Sequence, residues 1–220
     1  MFDITNFQPT TVSDIVFGND ISKTRIDDIV SGAEPLPAFG KTGILLYGAW
    51  GTGKTALAKL LPQAIEEGKA ASELVMPEEF IACQQGFSGP QVMELIKKQL
   101  DHMSLNASGL HYFVLDEVDN LTKGAQQSLK SAMNATRALY ILTTNHVAAI
   151  ERGVLDRCVL VEMNQAPSAQ LLPYARKITE HLNVVLNDEE LLPIIEACNG
   201  SFRNVAHNVL RAALKRQRAA

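Results

Sequence analysis

The run Gly48-Ala49-Trp50-Gly51-Thr52-Gly53-Lys54-Thr55 fits the spacing Gly-x-x-x-x-Gly-Lys-[Ser/Thr]. That spacing suits a polyphosphate. Glycines let the backbone wrap the anion with its N–H groups turned inward, where side chains would obstruct it. Lys54 adds a mobile positive charge for the terminal phosphates, and Thr55 a hydroxyl for Mg²⁺. The helix expected from Ala56 onward directs its positive dipole end at the same anion. Gly48, Gly51, Thr52, Gly53, Lys54, Thr55 and Ala56 are therefore the candidate nucleotide-phosphate residues.

Roughly sixty residues on, Tyr112-Phe113-Val114-Leu115-Asp116-Glu117 is an apolar strand ending in two carboxylates. Asp116 is placed to help hold Mg²⁺, and Glu117 to orient and deprotonate an attacking water. A strand simply entering solvent through acidic residues is the plainer reading, and the loop upstream weighs against it. Leu139-Tyr140-Ile141-Leu142-Thr143-Thr144-Asn145 is a second apolar strand with a polar end. Asn145 is a candidate to bond the water or the terminal phosphate; as an ordinary strand-end Asn it would only favour a turn.

Strands are expected at residues 43–47, 79–83, 112–115, 139–143 and 159–162, and helices at 21–31, 55–67, 90–103, 124–135 and 150–153. Strands alternating with helices imply an α/β fold whose parallel sheet is covered on both faces, with ligands at the carboxyl ends of the strands. After Pro167 strand-like runs cease. Three amphipathic segments near 169–182, 188–197 and 202–218 suggest a small all-α domain. The expected division is an α/β nucleotide-binding domain over 1–166 and a helical domain over 167–220.

Of 220 residues, 46% are hydrophobic and 20% charged, which suits one large or two unequal globular units. The net charge of -4 does not advertise nucleic acid. The basic tail Arg211, Lys215, Arg216 and Arg218 could touch DNA or another subunit, but a solvated last helix turn favoured by the dipole is the plainer reading. Cys83, Cys158 and Cys198 are isolated, and the five histidines show no metal spacing, so neither zinc nor a disulfide framework is expected. Met1 to Thr5 lack the look of a signal peptide and no apolar stretch reaches membrane-spanning length. A cytoplasmic protein is the expectation.

The order of these motifs resembles the AAA+ ATPases, and within them the clamp-loader clade, the small subunits of replication factor C and their bacterial and phage equivalents. Phe7-Gln8-Pro9-Thr10-Thr11-Val12-Ser13-Asp14-Ile15-Val16 is similar to an N-terminal Tyr-Arg-Pro-x-x-Leu-x-Asp-[Ile/Val]-Val segment. Leu115 to Lys123, followed by Ala125 to Lys130, resembles the Walker B strand and its helix. Ile141 to Asn145 resembles sensor 1, Leu155-Asp156-Arg157-Cys158 the Ser-Arg-Cys motif, and Gly200-Ser201-Phe202-Arg203-Asn204 sensor 2.

The resemblance implies a P-loop NTPase with a three-layer parallel sheet followed by an all-α lid. It implies ATP and Mg²⁺ as cofactors, held by Lys54, Thr55 and Asp116, with Glu117 as base, Asn145 as sensor 1 and Arg203 reaching the γ-phosphate in cis. Arg157 becomes an arginine finger acting on a neighbour, with Arg152 its rival. Val12, Ile15, Val16 and Phe17 become lining for adenine, or plain core. It implies copies or homologous subunits in a ring or arc, a sliding clamp or replication factor as partner, possible contact with DNA, and no membrane. The chain departs from the pattern at Gln8, at Asp156, at the unusual Trp50, and in lacking a collar domain. Two other readings stand beside the ATP-driven machine. One is a nucleotide-gated binding module; the other is a protein-remodelling chaperone, for which Phe87 would be the pore-loop aromatic.

Overall fold

A computed structural model of the chain describes residues 7–70, 72–85 and 88–219. They form two compact units. Residues 20–48 and the described residues within 54–162 make one; residues 7–19, 49–53 and 163–219 make the other. The expected division at residue 167 follows chain order, whereas the compact units are discontinuous in sequence.

The larger unit holds α1 (Asp20–Ser31), β1 (Gly43–Tyr47), α2 (Lys54–Ala70), β2 (Glu79–Ala82), α3 (Gly89–Leu100), β3 (His111–Asp116), α4 (Lys123–Ala132), β4 (Ala138–Thr144), α5 (Arg152–Asp156) and β5 (Cys158–Glu162). The strands pair in parallel in the order β2-β3-β4-β1-β5. All five expected strands are present with ends shifted by a residue at most. Their near-continuous apolar runs are what a parallel sheet buried on both faces requires. Leu45, Phe113, Leu115, Tyr140 and Leu142 face one layer, packing with Val92 and Ile96 of α3, Ala125 and Leu129 of α4 and Val154 of α5. The alternate residues Ile44, Leu46, Val114 and Ile141 are also fully buried and belong to the opposite face, where α1 and α2 pack.

The short helix expected at 150–153 lies instead at Arg152–Asp156. Ile150 is buried as the end of a 3-10 turn, and Glu151 caps the helix by accepting from Val154 N at 3.1 Å. Side-chain capping, not apolar spacing, sets that start.

In the second unit α6 (Ser168–His181), α7 (Asp188–Glu196) and α8 (Phe202–Ala219) enclose Leu171, Ala175, Ile178, Leu191, Ile195, Val205 and Val209. Phe7 and Val16 pack against this cluster, which is why the N-terminal arm belongs with the helices. Asn187 starts α7 with a reciprocal capping box: its Oδ1 accepts from Glu190 N at 2.9 Å, and Glu190 Oε2 accepts from Asn187 N at 3.0 Å. No helix among the described residues is long and apolar enough to cross a membrane.

Candidate nucleotide site

Because the strands run parallel in register, with Tyr47 beside Thr144 and Asp116 beside Ala82, the carboxyl ends of β1, β3 and β4 share one edge of the sheet. That edge brings together Gly48 and Lys54, the carboxylates after β3 and Asn145 after β4. Gly51 and Gly53 take φ values of 77° and 92°, a backbone region that side chains rarely tolerate. At Gly51 space adds a second constraint, since a Cβ would fall 2.3 Å from Ser201 Oγ. The Gly51 carbonyl accepts from Phe202 N at 3.0 Å, one residue before the exposed Arg203 at the start of α8. These contacts lie within the second unit.

Lys54 opens α2 and is 6% exposed. Its ammonium donates to the Gly48 carbonyl at 3.1 Å. Burial pushes its pKa down from the ordinary lysine value, and the charges of Asp116, Asp119 and Glu117 pull it partly back. Lys54 is thus a cation buried against its own loop and counterbalanced by the carboxylates of β3 and the turn after it.

Asp116 Oδ1 accepts from two hydroxyls, Thr55 Oγ1 at 2.8 Å and Thr143 Oγ1 at 2.6 Å. Thr143 Oγ1 in turn accepts from Glu117 N at 2.9 Å. The Thr55 hydroxyl and the Asp116 carboxylate are hard oxygen donors in contact at the head of α2. They fit Mg²⁺, which takes few protein ligands and completes its octahedron with phosphate oxygens and water. Glu117 is exposed, in a left-handed conformation at φ 57°, and its Oε2 accepts from Asn120 Nδ2 at 3.2 Å. Asn120 Nδ2 also lies 3.2 Å from the Cys83 carbonyl at the end of β2. Asn145 is half-buried just past β4. The adjacent Thr144 donates to Asp119 Oδ1 at 2.8 Å.

Arg157, half-buried, ends α5 at a position where neither Asp156 nor Glu162 pairs with it; its partners are Asn134 and the Gly153 carbonyl. Arg152 is exposed. Val16 packs on the helical cluster and Phe17 is buried. Trp50 is 64% exposed. Phe87, the pore-loop candidate, lies outside the described residues. Thr143, Asn120 and Asn134 escaped the sequence reading. Thr143 reads as one more β-branched strand residue, and nothing in its spacing tells that its hydroxyl joins two carboxylate-bearing residues.

The sequence profile of the ATPase family associated with various cellular activities (AAA) matches residues 44–166, more than half of the chain. Among curated proteins, replication factor C small subunit 2 of Pyrobaculum islandicum is 26% identical over 97% of this chain and 63% of its own length. The replication factor C large subunit of Methanosarcina mazei is 28% identical over 94% of this chain and 33% of its own. The chain thus spans less than two thirds of these relatives. Among solved structures, a Thermotoga maritima RuvB mutant superposes with a TM-score of 0.67 at 15% identity, covering 94% of this chain and 64% of that one. The RuvB Holliday junction branch migration motor gives 0.63 with the same coverage and identity. At that identity the likeness concerns the fold alone, and it agrees with the P-loop α/β sheet and helical appendage expected from the sequence.

Proposed function

The chain belongs to the AAA family of ATPases, and from that premise we propose that it binds ATP with Mg²⁺ and hydrolyses it as one module of a clamp-loader-like machine. The observation that carries this reading is the double acceptance at Asp116 Oδ1, from the Thr55 hydroxyl beside the phosphate loop and from Thr143 on β4. The Asp116 carboxylate and the Thr55 hydroxyl would hold Mg²⁺ there, and the ion would supply positive charge against the charge developing on the transferred phosphoryl group. Lys54 holds the terminal phosphates. Glu117 takes the proton of the attacking water, with its backbone locked to Thr143 and so to Asp116. Asn145 bonds the water or the γ-phosphate, and Arg203 contacts the γ-phosphate in cis. Val16 and Phe17 border the base.

Arg157 supplies the finger to a neighbouring copy or homologous subunit in a ring or arc. The replication factor C likeness supports a sliding clamp as the partner and DNA as the track. ATP closes each interface; hydrolysis releases the partner.

The test is ATP turnover beside equilibrium nucleotide binding. Lys54→Ala loses binding. Glu117→Gln keeps binding and loses turnover by about 10²–10⁴-fold, the range for a removed general base. Arg157→Ala keeps binding and loses up to about 10³–10⁵-fold. Turnover unaffected by Glu117→Gln overturns the assignment of the base. Stimulation of turnover by primed DNA and a clamp protein tests the clamp-loader role, and its absence with every DNA form and clamp tried counts against that role alone.

A further inference from the structure

We propose that Asn134 is a positioning residue for Arg157, holding its guanidinium in place without neutralising it. This rests on the reading of Arg157 as the group that serves a neighbour's phosphates.

Arg157 is fixed on every side. Its backbone carbonyl accepts from Thr42 N at 2.9 Å and Gly43 N at 3.0 Å, at the start of β1. The Lys41 ammonium donates to the carbonyls on either side, Asp156 O at 2.6 Å and Cys158 O at 3.1 Å. The side chain is held just as fully. Nε and Nη2 both donate to Asn134 Oδ1, at 3.1 and 3.0 Å, and Nη1 donates to Gly153 O at 2.9 Å. One edge and one further nitrogen of the fork are therefore oriented by neutral oxygens. Among the described residues Arg157 makes no ion pair.

The chemistry of the partner matters. A carboxylate at residue 134 would take the same edge bidentately, with charge-assisted bonds roughly twice as strong as neutral ones. It would also cancel the charge a phosphate must find. An amide oxygen orients the guanidinium through dipoles and leaves its full charge to the anion, so the fork is preorganised and the entropy of ordering a long side chain is already lost before the neighbour docks. Asn134 is itself exposed, past the end of α4, where the N–H of Asn134 bonds Ser131 O at 3.3 Å. Exchange at this position should leave the core untouched.

The experiment compares Asn134→Ser, Asn134→Ala and Asn134→Asp with wild type and Arg157→Ala, reading kcat, KM and nucleotide affinity at several salt concentrations, with melting temperature as a fold control. Asn134→Ser sets its hydroxyl one bond nearer the backbone than the amide oxygen, out of reach of the guanidinium, and should behave as Asn134→Ala does. Asn134→Ala should lose less than about tenfold in kcat, and Asn134→Asp roughly ten- to a hundredfold, the added hold of a charged over a neutral acceptor. Nucleotide affinity should not move. The Asn134→Asp deficit should narrow as salt screens the new pair.

Equal turnover in Asn134→Asp and wild type, with Arg157→Ala inactive, overturns the proposal while leaving the finger in place. Losses that track melting temperature, with Ala no better than Asp, mean a structural role and also overturn it. If Arg157→Ala hydrolyses ATP like wild type, the finger reading itself fails and this proposal with it. The two failures are told apart by that one variant.

Discussion

Cys83 sits at the end of β2, 4% exposed, against the acidic edge of the site. Burial first, and then the charges of Asp116, Asp119 and Glu117, push its thiol up to about 12. The reactive species is the thiolate. At pH 8 that pKa leaves on the order of one thiolate in ten thousand molecules. Cys83 should therefore resist iodoacetamide in the folded chain and become alkylated only at the rate of unfolding. Mass spectrometry of a labelling time course checks this, and rapid labelling at pH 8 would show that the strand end opens locally. The same neighbourhood shows what residue types disclose. Lys54, Thr55, Asp116 and Glu117 stand out as candidates in the sequence because phosphate and metal chemistry needs those side chains at those spacings. Thr143 and Asn120 were not, because their roles depend on where a hydroxyl or amide points, and alternation along a strand fixes only the face. Arg157 was legible as an arginine of interest, but nothing in its spacing points to the oxygen that holds it, which belongs to Asn134, across the sequence at the end of another helix.

The strands were read almost to the residue because each is a short apolar run with a polar end, and a buried parallel sheet demands such runs. Helix ends were read less well. The helix expected at 124–135 runs Lys123–Ala132 with Thr122 as its N-cap, and the one expected at 90–103 ends at Leu100. Periodicity reports which face is buried; the ends are set by caps and by carbonyls finding other partners. Helix α7 offers a clean measure. Its start rests on the Asn187–Glu190 box, both residues lying outside the apolar cluster. Asn187→Ala should cost about 1 kcal/mol, within the 0.5–2 kcal/mol range for a lost cap. Glu190 also pairs with Arg216 of α8 through exposed groups, so Glu190→Ala should add little beyond its half of the box. Denaturant titration of the two single variants tests this: an Asn187→Ala variant as stable as wild type would mean the box is not formed in solution.

Turnover in an assembly depends on whether each site is completed by a second copy. Each chain carries its own Lys54, Asp116 and Glu117 and offers Arg157 elsewhere. If Arg157 acts in trans, Glu117→Gln and Arg157→Ala chains are each defective for different reasons. In a mixed assembly, an Arg157→Ala chain keeps an intact Glu117. A Glu117→Gln neighbour keeps an intact Arg157, and where the two meet in the right order one complete site forms. Mixing equal amounts should therefore raise turnover above the mean of the two separate proteins, and dilution below the assembly concentration should abolish the gain. A finger acting in cis gives a different result, since no mixed pairing can then restore a site and activity stays at the mean at every concentration. The order of meeting carries information too. A head-to-tail arrangement makes only one of the two possible mixed interfaces productive. A tandem fusion with Arg157→Ala on the half whose Glu117 faces the partner's arginine should hydrolyse ATP, and the reverse fusion should not once it is diluted until fusions no longer meet one another.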